Sequence, residues 1–233
     1  MAHGDEADLD GLIGRVDPDR WLTSRFIADP QARGDVLALY AFDHELARAR
    51  RAASTPLMAE IRLTWWREAL DEIFNARPVR RHPTAQALGA AVARHGLSRA
   101  PLESMIDGQI ESLESPALEL EAAVRWADAV QGSVAGLAAS ALDPTTPASA
   151  VAAAGRAWGL ALLVRGGLAE RSEVAAPMCQ ALTEARVTAL GLSVAAFPAA
   201  LPARLARYDL AGRAPGPLRK RLALTLAAAT GRV

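Results

Sequence analysis

The sequence predicts an all-α protein, a multi-helix bundle, on three observations. Apolar residues recur at helical spacing through most of the chain, Pro, Gly and capping residues cut it into helical lengths, and no alternating polar and apolar run reads as a strand. Residues 35–72 show the pattern most clearly. Leu39, Phe42, Leu46 and Ala49 form one apolar stripe, while Tyr40, His44, Ala47 and Arg51, at i, i+4, i+7 and i+11, line a second face.

Taken in order, Asp17-Pro18 opens a short helix through Phe26, and Asp29-Pro30 opens the long helix that carries both stripes. Thr55-Pro56 is an N-cap followed by proline at N1, which starts a helix running to about Asn75 with Ile61, Trp65 and Trp66 on it. Residues 77–83, rich in arginine and proline, are a loop. Thr84 to His95 forms a helix closed by Gly96, since glycine accepts the left-handed backbone of a C-cap. Further helices are expected over 100–114, 118–142 and 148–164. The Asp143-Pro144 turn closes the second, and Gly166-Gly167 ends the third, each glycine costing ~1 kcal/mol in a helix interior. Beyond Pro177, short helices at 179–190, 202–208 and 217–229 complete the bundle, and no internal repeat is evident.

With 233 residues and no Gly/Ser- or charge-rich linker, residues 1–233 are expected to form one domain, with 1–16 poorly ordered. A hydrophobic fraction of 51% with 22% charged residues is that of a globular protein, and the balance of 26 basic and 26 acidic side chains argues against general nucleic-acid binding. Arginine supplies nearly all the cations, and Lys220 is the only lysine. Cys179 alone makes no intramolecular disulfide and excludes a cysteine-rich zinc module. The acidic stretch MAHGDEADLDG has neither a basic segment nor an apolar one, so it reads as neither a secretory signal nor a transit peptide, and no apolar run reaches the ~20 residues needed to span a bilayer. The expected location is the cytoplasm, with peripheral contact at the inner membrane.

Five segments, LYAF at 39–42, RLTWWREALDEI at 62–73, MIDGQIESLE at 105–114, WADAVQGSVAGLAASAL at 126–142 and GLALLVRGGLAER at 159–171, resemble the squalene/phytoene synthase family in order and spacing. The resemblance implies the isoprenoid synthase fold, with helices surrounding a central cavity. Active members of the family join two prenyl diphosphates and carry two DxxxD motifs on facing helices. Carboxylates at i and i+4 share a helix face, and two such pairs hold the Mg²⁺ ions that draw off the diphosphate, while an apolar pocket shelters the carbocation from water. Laid on this sequence, the first motif falls on Ala47 and Arg51, the second on Gly166 and Glu170, and a further acidic position on Ser112. Three of the four principal ligands are absent, and one is replaced by a cation that repels a metal.

The segments AFDHELA at 41–47 and AFPA at 196–199, with Pro177-Met178, are similar to the branch of the family that includes a mitochondrial respiratory complex I assembly factor and that has also lost the aspartate motifs. This implies a catalytically degenerate homologue acting as a binding or assembly protein, with a respiratory-complex subunit as partner and no cofactor. Two alternatives are a Mg²⁺-dependent prenyl transferase, in which Glu170 converges with Asp107 or Glu111, and a carrier of an isoprenoid or other lipid.

The expected cavity face comprises Tyr40, His44, Arg48, Arg51, Trp65 and Arg165. Arg48, Arg50 and Arg51 either bind an anion directly, through guanidinium forks, or form a solvated last turn where cations suit the helix dipole. Asp107 with Glu111, and Glu68 with Glu72, are i, i+4 acidic pairs that read as surface charge, and Asp43, His44 and Glu45 splay too widely to converge on one ion. Arg77, Arg80 and Arg81 form a basic loop patch read as solvated. Trp65 and Trp66 are packing anchors, one of them able to line the cavity. The Gly155, Gly159 and Gly166 stripe serves either close helix packing or room for a ligand chain, and packing is favoured.

Overall fold

A computed structural model describes residues 8–113, 115 and 117–233, and every regular element among them is helical. The chain folds into α1 (Leu9–Val16), α2 (Pro18–Ser24), α3 (Pro30–Arg51), α4 (Pro56–Phe74), α5 (Pro83–His95), α6 (Arg99–Glu111), α7 (Leu120–Trp126), α8 (Ser133–Leu142), α9 (Ser149–Arg165), α10 (Arg171–Thr188), α11 (Pro202–Leu210) and α12 (Pro217–Thr230). A π-helical segment, Ala127–Gly132, joins α7 to α8.

Local chemistry sets most of the boundaries. The Asp29 carboxylate accepts the Gln31 amide at 2.9 Å and Pro30 occupies N1, so α3 starts there and runs 22 residues. Thr55 Oγ1 accepts the Met58 amide at 3.3 Å ahead of Pro56. Gly96, with φ +60°, closes α5 through its amide to the Val92 carbonyl. The stripe Leu39, Phe42, Leu46 and Ala49 is buried as expected.

Three expectations need correction. Residues 9–16 are a helix rather than poorly ordered: Asp8 caps it by accepting the Gly11 amide at 2.7 Å, and Ile13 anchors it in the core. Residues 1–7 lie outside the described residues, as does Glu114, the expected end of α6. The helix expected over 118–142 is interrupted by the π segment. The helix expected from Cys179 begins at Arg171 and continues through Pro177. Proline forfeits one backbone hydrogen bond, but Val174, Met178, Ala181 and Ala185 on either side of it form a buried stripe against α9, which holds the helix together.

The centre is organised by α3 and α9. The first packs against α1, α4, α5, α6 and α8; the second against α8, α10, α11 and the π segment. The fit of α9 to the π segment depends on the absence of two side chains. A Cβ on Gly155 would lie 2.5 Å from the Gln131 carbonyl oxygen, and one on Gly159 would lie 2.8 Å from the Ala127 Cβ. These two glycines therefore serve close packing, as expected, whereas Gly166 stands at the end of α9 and faces a cavity.

Candidate functional site

Between α3 and α9 lies a cavity of about 450 Å³, closed by α2, α6 and the end of α7. α3 contributes Asp43, His44, Ala47, Arg50 and Arg51, and α9 contributes Leu162, Leu163 and Arg165, with Gly166 at its end. Ala47, Arg51 and Gly166, three of the four metal-motif positions, thus share one cavity. The fourth does not: Glu170 is exposed at the N-cap position of α10 and is not among the lining residues.

The cavity floor is a buried charge network that the sequence reading missed. Arg20 of α2 donates through Nε to Asp17 at 2.5 Å, through Nη2 to Asp43 Oδ2 at 2.7 Å, and through Nη1 to Gln131 Oε1 at 3.3 Å. Gln131 Nε2 donates to the same Asp43 oxygen at 2.9 Å, and the guanidinium lies 4.7 Å from the Tyr40 ring centroid. Although burial alone would lower the pKa of Arg20, its two carboxylates raise it, so the network carries a fixed cation. Tyr40, whose hydroxyl burial pushes up to about 12, is a wall beneath this network and does not line the cavity. Asp43 Oδ1 is buried and, among the described residues, has no hydrogen-bond partner. The π segment matters here because it supplies Gln131, and such bulges re-aim side chains at functional sites.

A second network closes the α9 side. Arg165 donates two bonds of 2.7 Å to Asp209 and one of 3.0 Å to Asp19, which also receives Lys220 Nζ at 2.5 Å. Its guanidinium stacks 4.7 Å from the Trp158 ring. Arg165 lines the cavity, but its donors are already committed to protein carboxylates.

The rim is different. Arg50 gives one hydrogen bond to the Ser112 carbonyl at 3.2 Å, and among the described residues neither Arg50 nor Arg51 reaches a carboxylate within ion-pair distance. Burial, reinforced by Arg51, lowers the pKa of Arg50, and burial with Arg51 and Arg48 nearby lowers that of His44. Burial is the chief cause in each, for His44 outweighing the opposite pull of Glu45 and Asp43, and an entering anion favours both charged forms. Opposite them Trp126, Leu162, Leu163 and Leu168 form an apolar wall.

The donor set does not fit a Mg²⁺ cluster. The carboxylates that line the cavity, Asp17, Asp19 and Asp43, each hold an arginine or lysine, and among the described residues no facing i, i+4 carboxylate pairs of the kind such a cluster needs line it. The carboxylates expected to substitute are elsewhere. Asp107 pairs with Arg67 at 2.6 Å on the outer face of α6, and Glu111 is exposed. Among the described residues no three His, Cys, Asp or Glu side chains gather around one point.

The remaining expected site residues separate from this cavity. Arg48 pairs with Glu45 at 2.9 Å and, with Trp65, Trp66, His82 and Ile61, lines a different groove of about 490 Å³ between α3 and α4. Trp66 is a core residue, edge-on to Phe42 at 5.4 Å, whereas Trp65 sits at the groove's margin under the guanidinium of Arg80. The Glu68 and Glu72 pair clamps that same arginine: Arg80 reaches Glu72 at 2.7 Å and Glu68 at 3.3 Å, so it is a staple for the 77–82 loop rather than a solvated charge. Polar residues on the buried face of α2, namely Asp19, Arg20, Thr23 and Ser24, were invisible to a search for apolar stripes.

Comparison with known proteins fits this geometry. The family model described as Squalene/phytoene synthase matches residues 13–166. The protein named NADH dehydrogenase (ubiquinone) complex I, assembly factor 6 from Bos taurus is 29% identical over 106 residues, covering 46% of this chain and 31% of that protein. Its Homo sapiens counterpart is 28% identical over the same length, and that of Mus musculus 26% over 124 residues. The matched stretch spans about a third of the length of these relatives. A crystal structure of a dehydrosqualene synthase in complex with ligand superposes with a TM-score of 0.71 at 14% identity, covering 97% of this chain and 95% of that one, a likeness that identifies the isoprenoid synthase fold.

Proposed function

Because this chain belongs to the squalene/phytoene synthase family, we propose that it retains the family's cavity as a binding site without the metal chemistry and acts as a binding and assembly protein. The observation that carries the reading is the charge reversal at the rim. Where the family pattern has carboxylates, this chain has Ala47, Arg51 and Gly166, and its remaining cavity carboxylates are held by Arg20, Arg165 and Lys220. Arg50, Arg51 and His44 then receive an anionic head group directly, through charge-assisted hydrogen bonds, and the wall of Trp126, Leu162, Leu163 and Leu168 takes an apolar chain. An isoprenoid diphosphate or an acidic lipid has both parts. The relatives named as complex I assembly factors favour a partner in a respiratory complex. The cytoplasmic, membrane-peripheral location belongs to the same proposal.

Calorimetry with farnesyl diphosphate tests the binding part. Binding in the presence of EDTA is expected, with at least a tenfold loss in Arg51→Asp, because one charge-assisted pair contributes ~1.5–3 kcal/mol and the new carboxylate repels the ligand. Binding that requires Mg²⁺, or turnover of the diphosphate above a no-protein control, would sink the reading. For the assembly part, deletion in the host is expected to lower the amount of assembled respiratory complex I on native gels while leaving its transcripts unchanged.

A further inference from the structure

α12 faces the wrong way for a surface helix. At about 100° per residue, Thr225, Leu218, Ala229, Leu222 and Leu226 fall in one sector of about 100°. That sector points to solvent: Leu218, Leu222 and Leu226 are 80%, 61% and 52% exposed. The opposite sector, Ala223, Leu224 and Ala227, is buried against the bundle, where α12 packs on α11. Arg221 and Arg219 bracket the exposed leucines, one on each side of the stripe, and both are exposed. Across residues 211–233 there are five cations, Arg213, Arg219, Lys220, Arg221 and Arg232, and no acid, in a chain whose total charge is balanced. Of these, Lys220 is turned inward to Asp19.

We propose that this face docks on an anionic bilayer surface, with the leucines entering the acyl boundary and Arg219 and Arg221 reaching the head groups. The combination of an outward apolar stripe, flanking cations and local absence of acids is that of an interfacial helix, and each arginine near an anionic surface adds about 1 kcal/mol. A second copy of the chain is a poor occupant. A two-fold contact through this stripe sets Arg219 and Arg221 of each copy around the same seam without an acid to offset them. A protein partner would need an acidic rim around an apolar groove, whereas a bilayer of anionic lipid presents both over any area. α12 lies on the surface and does not cross: among the described residues no helix is long and apolar enough to span a membrane. The proposal is independent of what the cavity between α3 and α9 binds.

Co-sedimentation of the full chain with vesicles tests it. The chain is expected to bind phosphatidylcholine vesicles that contain phosphatidylglycerol, to bind pure phosphatidylcholine weakly, and to be released by high salt. Leu222→Glu, at a solvent-facing position that leaves the fold intact by circular dichroism, is expected to abolish sedimentation. Arg219→Gln with Arg221→Gln weakens it about twenty-fivefold, roughly fivefold for each charge. Failure to bind either vesicle, equal binding to both, or binding unchanged by Leu222→Glu would overturn the proposal. Farnesyl diphosphate calorimetry on the same variants, expected to be unchanged, separates a failure here from a failure of the cavity reading.

Discussion

Arg20 shows how much one side chain holds in this fold. Its guanidinium joins Asp17, Asp43 and Gln131, which belong to three different parts of the chain, and it lies over Tyr40. Replacing it with methionine keeps the volume but strands two carboxylates in a site where Asp43 Oδ1 already lacks a partner. Breaking a buried charge network by removing one member costs ~3–5 kcal/mol, so Arg20→Met is expected to lower stability by that amount in urea denaturation at neutral pH. A midpoint unchanged from the parent would mean that the network contributes nothing net. The same residue explains a gap in the sequence reading. Asp17-Pro18 was legible as a helix start because capping is local, whereas the other two partners of Arg20, Asp43 and Gln131, lie 23 and 111 residues away and carry no spacing signal.

At the scale of elements, legibility followed the range of the forces. The starts of α3 and α4 and the end of α5 were readable because an Asp or Thr cap with proline, or a left-handed glycine, encodes each within four residues. The π segment and the passage of α10 through Pro177 were not, since both are held by packing against α9. The Gly155 and Gly159 stripe was visible, but its counterpart was hidden in a hydrogen-bond register that sequence does not state. That pairing gives a contrast between two glycines. In Gly155→Ala the new methyl meets the Gln131 carbonyl oxygen at 2.5 Å and the Gly132 Cα at 2.7 Å, contacts with backbone that have no easy relief. Overpacking of this kind costs ~1–3 kcal/mol. Gly34, inside α3, has nothing within 4 Å of an added Cβ, so Gly34→Ala should raise stability by ~0.5–1 kcal/mol through helix propensity. Thermal melts of the two variants moving in the same direction would contradict the close fit of α9 to the π segment.

For the whole molecule, several carboxylates act as ties between segments, and their titration sets the acid limit of the fold. Hydrogen bonds from Arg80 hold Glu72 down at about 2, and bonds from Ser193 and Thr145 hold Asp143 at about 2. Glu72 fastens the 77–82 loop to α4, and Asp143 fastens the turn after α8 to Ser193. Both groups have folded values below their unfolded ones of about 4, so their contribution is fully present above pH ~4 and is lost as pH falls toward 2. His44 and His82 are lowered chiefly by burial, which gives the same sign in a higher window: the unfolded chain takes up protons below about 6.5 while the folded chain resists. The denaturation midpoint is therefore expected to hold steady above pH 7, to decline gently below 6.5 and to fall more steeply below 4. A cavity anion raises the midpoint wherever it binds, but it changes the slope of the curve only in the upper part. A diphosphate seated against His44 favours its protonated form and should make the gentle decline shallower by the His44 share, leaving the His82 share and the slope of the steep decline unchanged because His82, Glu72 and Asp143 do not line the cavity. Midpoints measured across this range with and without farnesyl diphosphate read both effects. A ligand that shifted the curve equally at every pH would bind away from His44.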